Sequence, residues 1–123
     1  MIEKIETPAA TARVTWRSPH EGGRKSGPPS APVYAANCAF PIGGETELDP
    51  GWPATAEKFS LLLQRIAESP AGEWECKLDF LARNLVKQYL QPGAVMLVME
   101  GPTVVGKAII SDVFLDVDWT EAQ

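Results

Sequence analysis

The sequence predicts an all-β domain, either a sandwich or a barrel. The chain has 123 residues, which suits one ordinary domain. It carries ten glycines and eleven prolines, so it turns more often than an average globular chain. Short segments that alternate between apolar and polar residues lie between these turns. Frequent turns between short alternating segments are typical of sandwiches and barrels rather than helical bundles.

Five segments have the pattern of β-strands. They are residues 12–17, 33–40, 73–81, 94–100 and 104–114. The clearest is 73–81, in which Trp74, Cys76, Leu78 and Phe80 fall on one face, as expected of a half-buried strand. Residues 83–90 fit either a short helix or a strand with a bulge.

One segment has the spacing of an amphipathic helix. Phe59, Leu62, Leu63 and Ile66 recur at positions i, i+3, i+4 and i+7, and Thr55 suits the N-cap. We therefore predict one short helix over residues 55–68.

The ends of the chain read as tails on either side of one domain. Residues 1–11 have no periodicity and predict a flexible tail, residues 12–115 form the domain, and residues 116–123 form an acidic tail. The N-terminus lacks the basic and apolar blocks of a signal peptide, and no apolar run approaches the roughly 20 residues of a membrane span. We expect a soluble, cytoplasmic protein that does not bind membranes.

The composition leaves few routes to catalysis. The formal net charge of −5 disfavours bulk electrostatic attraction to nucleic acid, although a local basic face remains compatible with it. One histidine and two cysteines, in separate predicted segments, make no recognisable catalytic group and no metal site. We expect a non-enzyme without metal or cofactor. We expect Cys38 and Cys76 to be core thiols, with a disulfide between them left open.

Residues 101–108, GPTVVGKA, have the glycine and lysine spacing of a phosphate-binding loop. Ala108 stands where such a loop needs a hydroxyl, and the residues that follow read as a strand rather than a helix. We interpret the segment as the turn of a β-hairpin and expect no nucleotide binding.

Basic residues gather near the N-terminus of this acidic chain. Arg13, Arg17, Arg24 and Lys25 lie within 13 residues around a glycine-rich loop. Such a cluster suits a phosphate backbone or an acidic protein partner. Ordinary solvated arginines are the alternative interpretation.

Two parts of the chain resemble a known family. Residues 13–26, RVTWRSPHEGGRKS, resemble the opening strand and Glu-Gly-Gly-Arg loop of the C-terminal β-barrel domain of translation elongation factor Tu. Residues 90–93, LQPG, then the Glu-Gly pair at 100–101 and residues 105–110, VGKAII, resemble the closing hairpin of that domain. The two matches stand in the same order as in the family and enclose most of the chain.

The resemblance implies a fold and a binding role. It implies a six-stranded antiparallel β-barrel, in which the predicted helix at 55–68 is an insertion. Because the family contacts tRNA with this barrel, it implies a binding module for RNA such as tRNA, or for a translation-related protein. The family's GTP hydrolysis belongs to another domain and is not implied.

The predicted binding residues combine the basic cluster with the resemblance. Arg24 and Gly101 match the family's motifs, and Lys25 and Lys107 are the cations beside them. The full set is Arg13, Arg17, Arg24, Lys25, Gly101 and Lys107. Leu62, on the predicted helix, would be the contact surface of a protein-interaction module instead. The oligomeric state is left open.

Overall fold

Six antiparallel strands form a closed barrel. The computed structural model describes residues 4–41 and 57–114. The strands are β1 (Ala10–Trp16), β2 (Tyr34–Ala39), β3 (Phe59–Glu68), β4 (Trp74–Phe80), β5 (Val95–Glu100) and β6 (Thr103–Val113). Their order around the barrel is β1-β4-β3-β2-β5-β6, closed by pairing between β6 and β1. This architecture confirms the predicted fold class, and closure gives every strand a neighbour on each side.

Five of the six strands match the predicted segments to within two residues at either end. Residues 83–90, which the sequence left open, are helical: α1 spans Arg83–Val86, and a 3-10 turn follows at Lys87–Tyr89. An ion pair of 2.8 Å between Arg83 Nε and Asp79 Oδ1 joins α1 to the end of β4, and Val86 is fully buried. The segment therefore covers one end of the barrel.

The predicted helix at 55–68 is wrong over the residues that the structure describes, because β3 occupies Phe59–Glu68. Phe59, Leu61 and Leu63 are buried in alternation, which is the period of a strand. In the antiparallel register, Leu61 lies opposite Phe80 and Leu63 lies opposite Leu78 of β4. The barrel needs this sixth strand to join β2 to β4. The predicted N-cap, Thr55, lies outside the described residues.

Leu62 consequently has no place on a helix. Leu62 lies on β3, and its side chain is half-buried and points away from the core of the barrel. It lies opposite Ala35 of β2 and Asp79 of β4. Ile66, which the helical pattern placed in the apolar stripe, is 49% exposed. The prediction that Leu62 forms part of a helical contact surface is therefore wrong.

The described part of the predicted N-terminal tail packs against the barrel. Ile5 is buried, and its backbone N–H donates to Gln64 Oε1 at 2.7 Å. The N–H of Ala9 donates to the carbonyl of Leu78 at 2.8 Å, and β1 begins at Ala10. Burial of Ile5 and Ala9 accounts for the packing of this segment against the barrel, and residues 10 and 11 belong to β1. The predicted acidic tail at 116–123 lies outside the described residues.

The core fills the barrel with inward side chains from every strand. Its largest fully buried members include Val14, Leu61, Leu63, Leu78, Met96 and Ile110. Residues 101–108 form the turn of the β5–β6 hairpin and the first half of β6, which confirms the hairpin interpretation. The motif is therefore part of the barrel wall.

Candidate binding surface at one end of the barrel

Cations from two neighbouring strands share the outer face of the barrel. Arg13 projects outward from β1, and Lys107 projects outward from β6. The register places Lys107 opposite Thr15 and Arg13 opposite Ile109, so Arg13 and Lys107 are diagonal neighbours. Side chains in that relation are about 7–8 Å apart. With Arg17, the residue after β1, they form what we call the cationic stripe: Arg13, Arg17 and Lys107.

Arg17 continues the pairing of β1 with β6. Its backbone N–H donates to the carbonyl of Val105 at 2.9 Å, and its Nη1 reaches the carbonyl of Val104 at 3.5 Å. The loop that follows packs closely on it: a Cβ added at Gly23 would lie 2.2 Å from the Arg17 carbonyl oxygen. Glycine at position 23 therefore lets the loop return to the end of β1.

Carboxylates flank the stripe on one side. Glu75 of β4 lies opposite Arg13 in the register. Thr15 Oγ1 donates to Glu73 Oε2 at 3.4 Å, just before β4 begins. The positive charges of Arg13 and Lys107 on β1 and β6 therefore lie beside the negative charges of Glu73 and Glu75 at the start of β4.

Arg24 is engaged within the protein rather than presented to solvent. Its Nε–H donates to Glu100 Oε2 at 2.8 Å, and its Nη1 donates to the carbonyl of Gly27 at 2.6 Å. Its guanidinium also lies over the ring of Tyr34, 5.4 Å from the centroid. These contacts connect the glycine-rich loop to the end of β5. We infer that Arg24 is a positioning residue for the loop.

Tyr34 and Glu100 complete this cluster. The Tyr34 hydroxyl donates to Glu100 Oε2, the oxygen that also accepts from Arg24. The hydrogen bond from Tyr34 holds the pKa of Glu100 below its usual value, and the Arg24 guanidinium adds a smaller effect in the same direction. Burial, together with the neighbouring carboxylate, raises the pKa of Tyr34. The carboxylate is therefore ionised and the phenol protonated across the neutral pH range.

The other two predicted residues lie beside this cluster. Lys25 is exposed and follows Arg24 directly. Gly101 follows Glu100 in the β5–β6 turn with a φ of +58°, a left-handed conformation that favours glycine. Gly101 therefore shapes the turn. The structure brings Arg13, Arg17 and Lys107 together along β1 and β6, and it places Lys25 at the same end as the β5–β6 turn through the Arg24–Glu100 ion pair.

Sequence reasoning missed a row of aromatic rings and guanidinium groups at this end of the barrel. Trp16 makes edge-to-face contacts with Tyr34 and with Trp74, at centroid distances of 5.7 and 5.2 Å. Arg65 lies over Trp74 at 5.0 Å, as Arg24 lies over Tyr34. Each ring lies in a predicted strand segment, but their contact depends on which strands are neighbours.

Both cysteines are free and buried. Burial raises the pKa of each thiol to about 12 from a usual 9.0. Near pH 8 this lowers the reactive thiolate fraction by about a thousandfold. We expect an aromatic disulfide reagent to modify neither thiol in the folded protein and both thiols in concentrated urea. A thiol that reacts in buffer as fast as in urea would contradict this assignment.

Comparison with known proteins does not assign the chain to a family. No family model matches the chain, and no curated protein matches it. In the described part of the chain, no helix is long and apolar enough to span a membrane. Residues 4–41 and 57–114 contain no group of three His, Cys, Asp or Glu side chains arranged to hold a metal ion.

Proposed function

We propose that the protein is a non-catalytic binding module that recognises RNA, tRNA among its ligands, through Arg13, Arg17, Lys25 and Lys107. The observation that carries the proposal is the β1–β6 register, which sets Lys107 opposite Thr15, between Arg13 of β1 and Arg17, the residue after β1. Cations on adjacent strands can follow successive phosphates of one backbone. The resemblance of residues 13–26, 90–93, 100–101 and 105–110 to the tRNA-contacting barrel of elongation factor Tu supports the same ligand.

Arg24 and Gly101 have a supporting part in this proposal. Arg24 is held by Glu100, Tyr34 and Gly27, so it orients the loop that carries Lys25. Gly101 shapes the turn beside Glu100. These two residues would therefore affect RNA binding through the position of Lys25 rather than by contact with phosphate.

A protein partner is the second candidate, and a specific observation favours it. Glu75 lies opposite Arg13, and Ile109, 37% exposed, lies opposite Arg13 on the other side. A surface that sets an arginine between a carboxylate and an apolar side chain has the mixed character of a protein interface. A translation-related protein would be such a partner.

Titration of aminoacylated and uncharged tRNA at low and moderate salt tests the RNA proposal. We expect affinity to fall steeply with salt, because binding releases counterions from the phosphates. Replacing both Arg13 and Lys107 by alanine should make the negative slope of log affinity against log salt shallower by about 2, one for each lost phosphate contact. Lys87→Ala removes a charge on the helical segment after β4 and should leave the slope unchanged. Absence of any complex at about 100 μM in low salt would overturn the proposal.

Charge reversal at Glu75 separates the two candidates. If RNA is the ligand, Glu75→Lys should strengthen tRNA binding, because it replaces a repelling charge beside Arg13 with an attracting one. If a protein partner binds the surface formed by Glu75, Arg13 and Ile109, the same change should weaken the complex with that partner. Tighter binding of tRNA by the variant supports the first candidate, and no effect on tRNA contradicts it.

A further inference from the structure

The second half of β3 is paired on one side only. β3 is ten residues long, but β2 pairs only with its first five, ending where Tyr34 lies opposite Leu63. On the other side, β4 pairs with β3 as far as Glu68, the last residue of the strand. Residues 64–68 therefore have β4 on one side and no strand of the described residues on the other.

Proline explains why β2 begins late. If β2 continued in the same register for two more residues toward its start, Pro32 would lie opposite Arg65. Proline has no N–H to donate to the carbonyl of Arg65, and Pro28 and Pro29 precede it in the same loop. No backbone hydrogen bond joins residues 27–32 to residues 64–68. The loop before β2 therefore leaves this edge of β3 open.

The alternation of hydrogen bonds along β3 identifies the backbone groups on the open side. The Ser60 carbonyl accepts a hydrogen bond of 3.3 Å from the residue after β4, and the Ser69 N–H donates one of 2.7 Å to the residue before β4. Along an antiparallel strand, every second residue bonds to a given neighbour, and a bulge between Arg65 and Ala67 shifts this order by one residue. The N–H and C=O groups of Arg65 and Glu68 therefore point away from β4.

A cleft of about 940 Å³ lies along the open edge. Its lining includes Gln64, Arg65 and Glu68 from β3, residues 27–32 of the loop, and Trp16 and Trp74. Residues 65–68 are all exposed. The volume falls within the roughly 300–1,000 Å³ of ligand-binding clefts. The open side of β3 is therefore accessible from this cleft.

The charges of the lining balance. Glu68 pairs with Arg65 at 3.3 Å, and Glu21 accepts a hydrogen bond from the backbone N–H of Ser18 at 2.9 Å. With Arg17, the lining carries two positive and two negative side chains. A balanced lining does not favour a polyanion, so the backbone of β3 is the main feature for an occupant to recognise.

We propose that the cleft binds an extended segment of a partner protein, which pairs with the open edge of β3 as an antiparallel strand. An unpaired strand edge is a template for another chain, because its N–H and C=O groups match those of an extended backbone. Arg65 and Glu68 each present one donor and one acceptor. Trp16 and Trp74 in the lining favour a segment that alternates β-branched and polar residues, because aromatic and β-branched side chains pack well across strands.

A single segment suits this cleft better than a second copy of the barrel. Residues 27–32 line the cleft together with β3, so a second barrel that approached the edge would meet this loop. Arg13 and Lys107 are not part of the lining. The strand-addition site therefore goes beyond the RNA proposal and does not depend on it.

A titration with a ten-residue peptide of alternating threonine and valine tests the site. The backbone amide resonances of Arg65 and Glu68 should shift, and their hydrogen exchange should slow, because both N–H groups gain an acceptor. The same peptide with N-methyl groups on its central amides keeps the side chains but loses the donors, and should bind about tenfold more weakly. Arg13→Ala should bind the peptide as the wild type does, because Arg13 is outside the lining.

Glu68→Pro tests the open edge from the protein side. Proline removes one of the two open N–H groups, and it is tolerated on a strand edge where the N–H has no partner in the sheet. The variant should bind the peptide about tenfold more weakly. Glu68→Ala is the matched control, because it removes the same side chain but keeps the N–H, and it should bind within about twofold of the wild type.

Five results would overturn the proposal. Three concern the peptide: no shift of the Arg65 and Glu68 amides at about 1 mM peptide, equal binding of the N-methylated peptide, and unchanged affinity in a folded Glu68→Pro variant. The other two are protection of these amides in a dimer without peptide, and shifts caused by single-stranded RNA but not by the peptide. If Glu68→Pro fails to fold, the N-methylated peptide decides the question. Binding of tRNA and its dependence on Arg13 and Lys107 are measured separately, so either proposal can fail alone.

Discussion

Replacing Leu61 with alanine is expected to lower the free energy of unfolding by about 2–5 kcal/mol. Leu61 of β3 is 1% exposed and packs into the barrel opposite Phe80 of β4. Truncation removes buried apolar surface and leaves a cavity that a closed barrel cannot easily fill. Urea unfolding followed by far-ultraviolet circular dichroism would measure the change.

Ile66→Ala is the matched control for Leu61→Ala. Ile66 lies on the same strand and is 49% exposed, so its truncation should cost less than about 1 kcal/mol. A helix over this segment would reverse the order, because the helical pattern places Ile66 in the apolar stripe and leaves Leu61 outside it. A larger loss for Ile66→Ala than for Leu61→Ala would therefore contradict the strand.

Replacing Glu100 with alanine is expected to cost about 1–3 kcal/mol near neutral pH. The change leaves the hydroxyl of Tyr34 without its acceptor in a partly buried site, and it leaves Arg24 without its carboxylate. Loss of one partner from a buried hydrogen bond costs the desolvation of the group that remains. The Arg24–Glu100 pair adds less, because the Glu100 side chain is 42% exposed and screened by solvent.

The effect of Glu100→Ala should depend on pH in a defined direction. The pKa of Glu100 in the folded protein lies below its usual 4.5, so the carboxylate stabilises the fold above that pH, and the contribution is lost as pH falls through the folded pKa. The stability difference between wild type and variant should therefore shrink below about pH 4.5. Glu75→Ala, at a surface position, should change stability by less than about 1 kcal/mol. An equal loss in the two variants would contradict the anchoring role of Glu100.

Strand prediction succeeded where one face of a segment is apolar and the other polar. In β4, Trp74, Cys76, Leu78 and Phe80 are buried and alternate with polar residues, so period and burial agree. In β3, three consecutive leucines at 61–63 satisfy the helical and the strand period together. Only pairing with β2 and β4 selects the strand, because Leu61 and Leu63 then meet Phe80 and Leu78.

The candidate site was only partly predictable for a related reason. Alternation along residues 12–17 already places Arg13 on the outer face, and the structure agrees. Its proximity to Lys107 depends on the pairing of β1 with β6, at opposite ends of the chain. The hydrogen bond of Arg24 to Glu100 and its contact with the ring of Tyr34 likewise join three segments that are distant in sequence. Local pattern indicates which way a side chain points but not which side chain it meets.

The order of residues along the chain determines three properties of this protein. They are the positions of the turns, the inward faces of five strands and the scarcity of catalytic residue types. They are local properties, set by glycine and proline conformations and by the period of burial. Three features arise only on barrel closure: the identity of β3, the internal role of Arg24, and the contacts among Trp16, Tyr34 and Trp74. Closure fixes strand neighbours and register, and these depend on long-range contacts that no short segment contains.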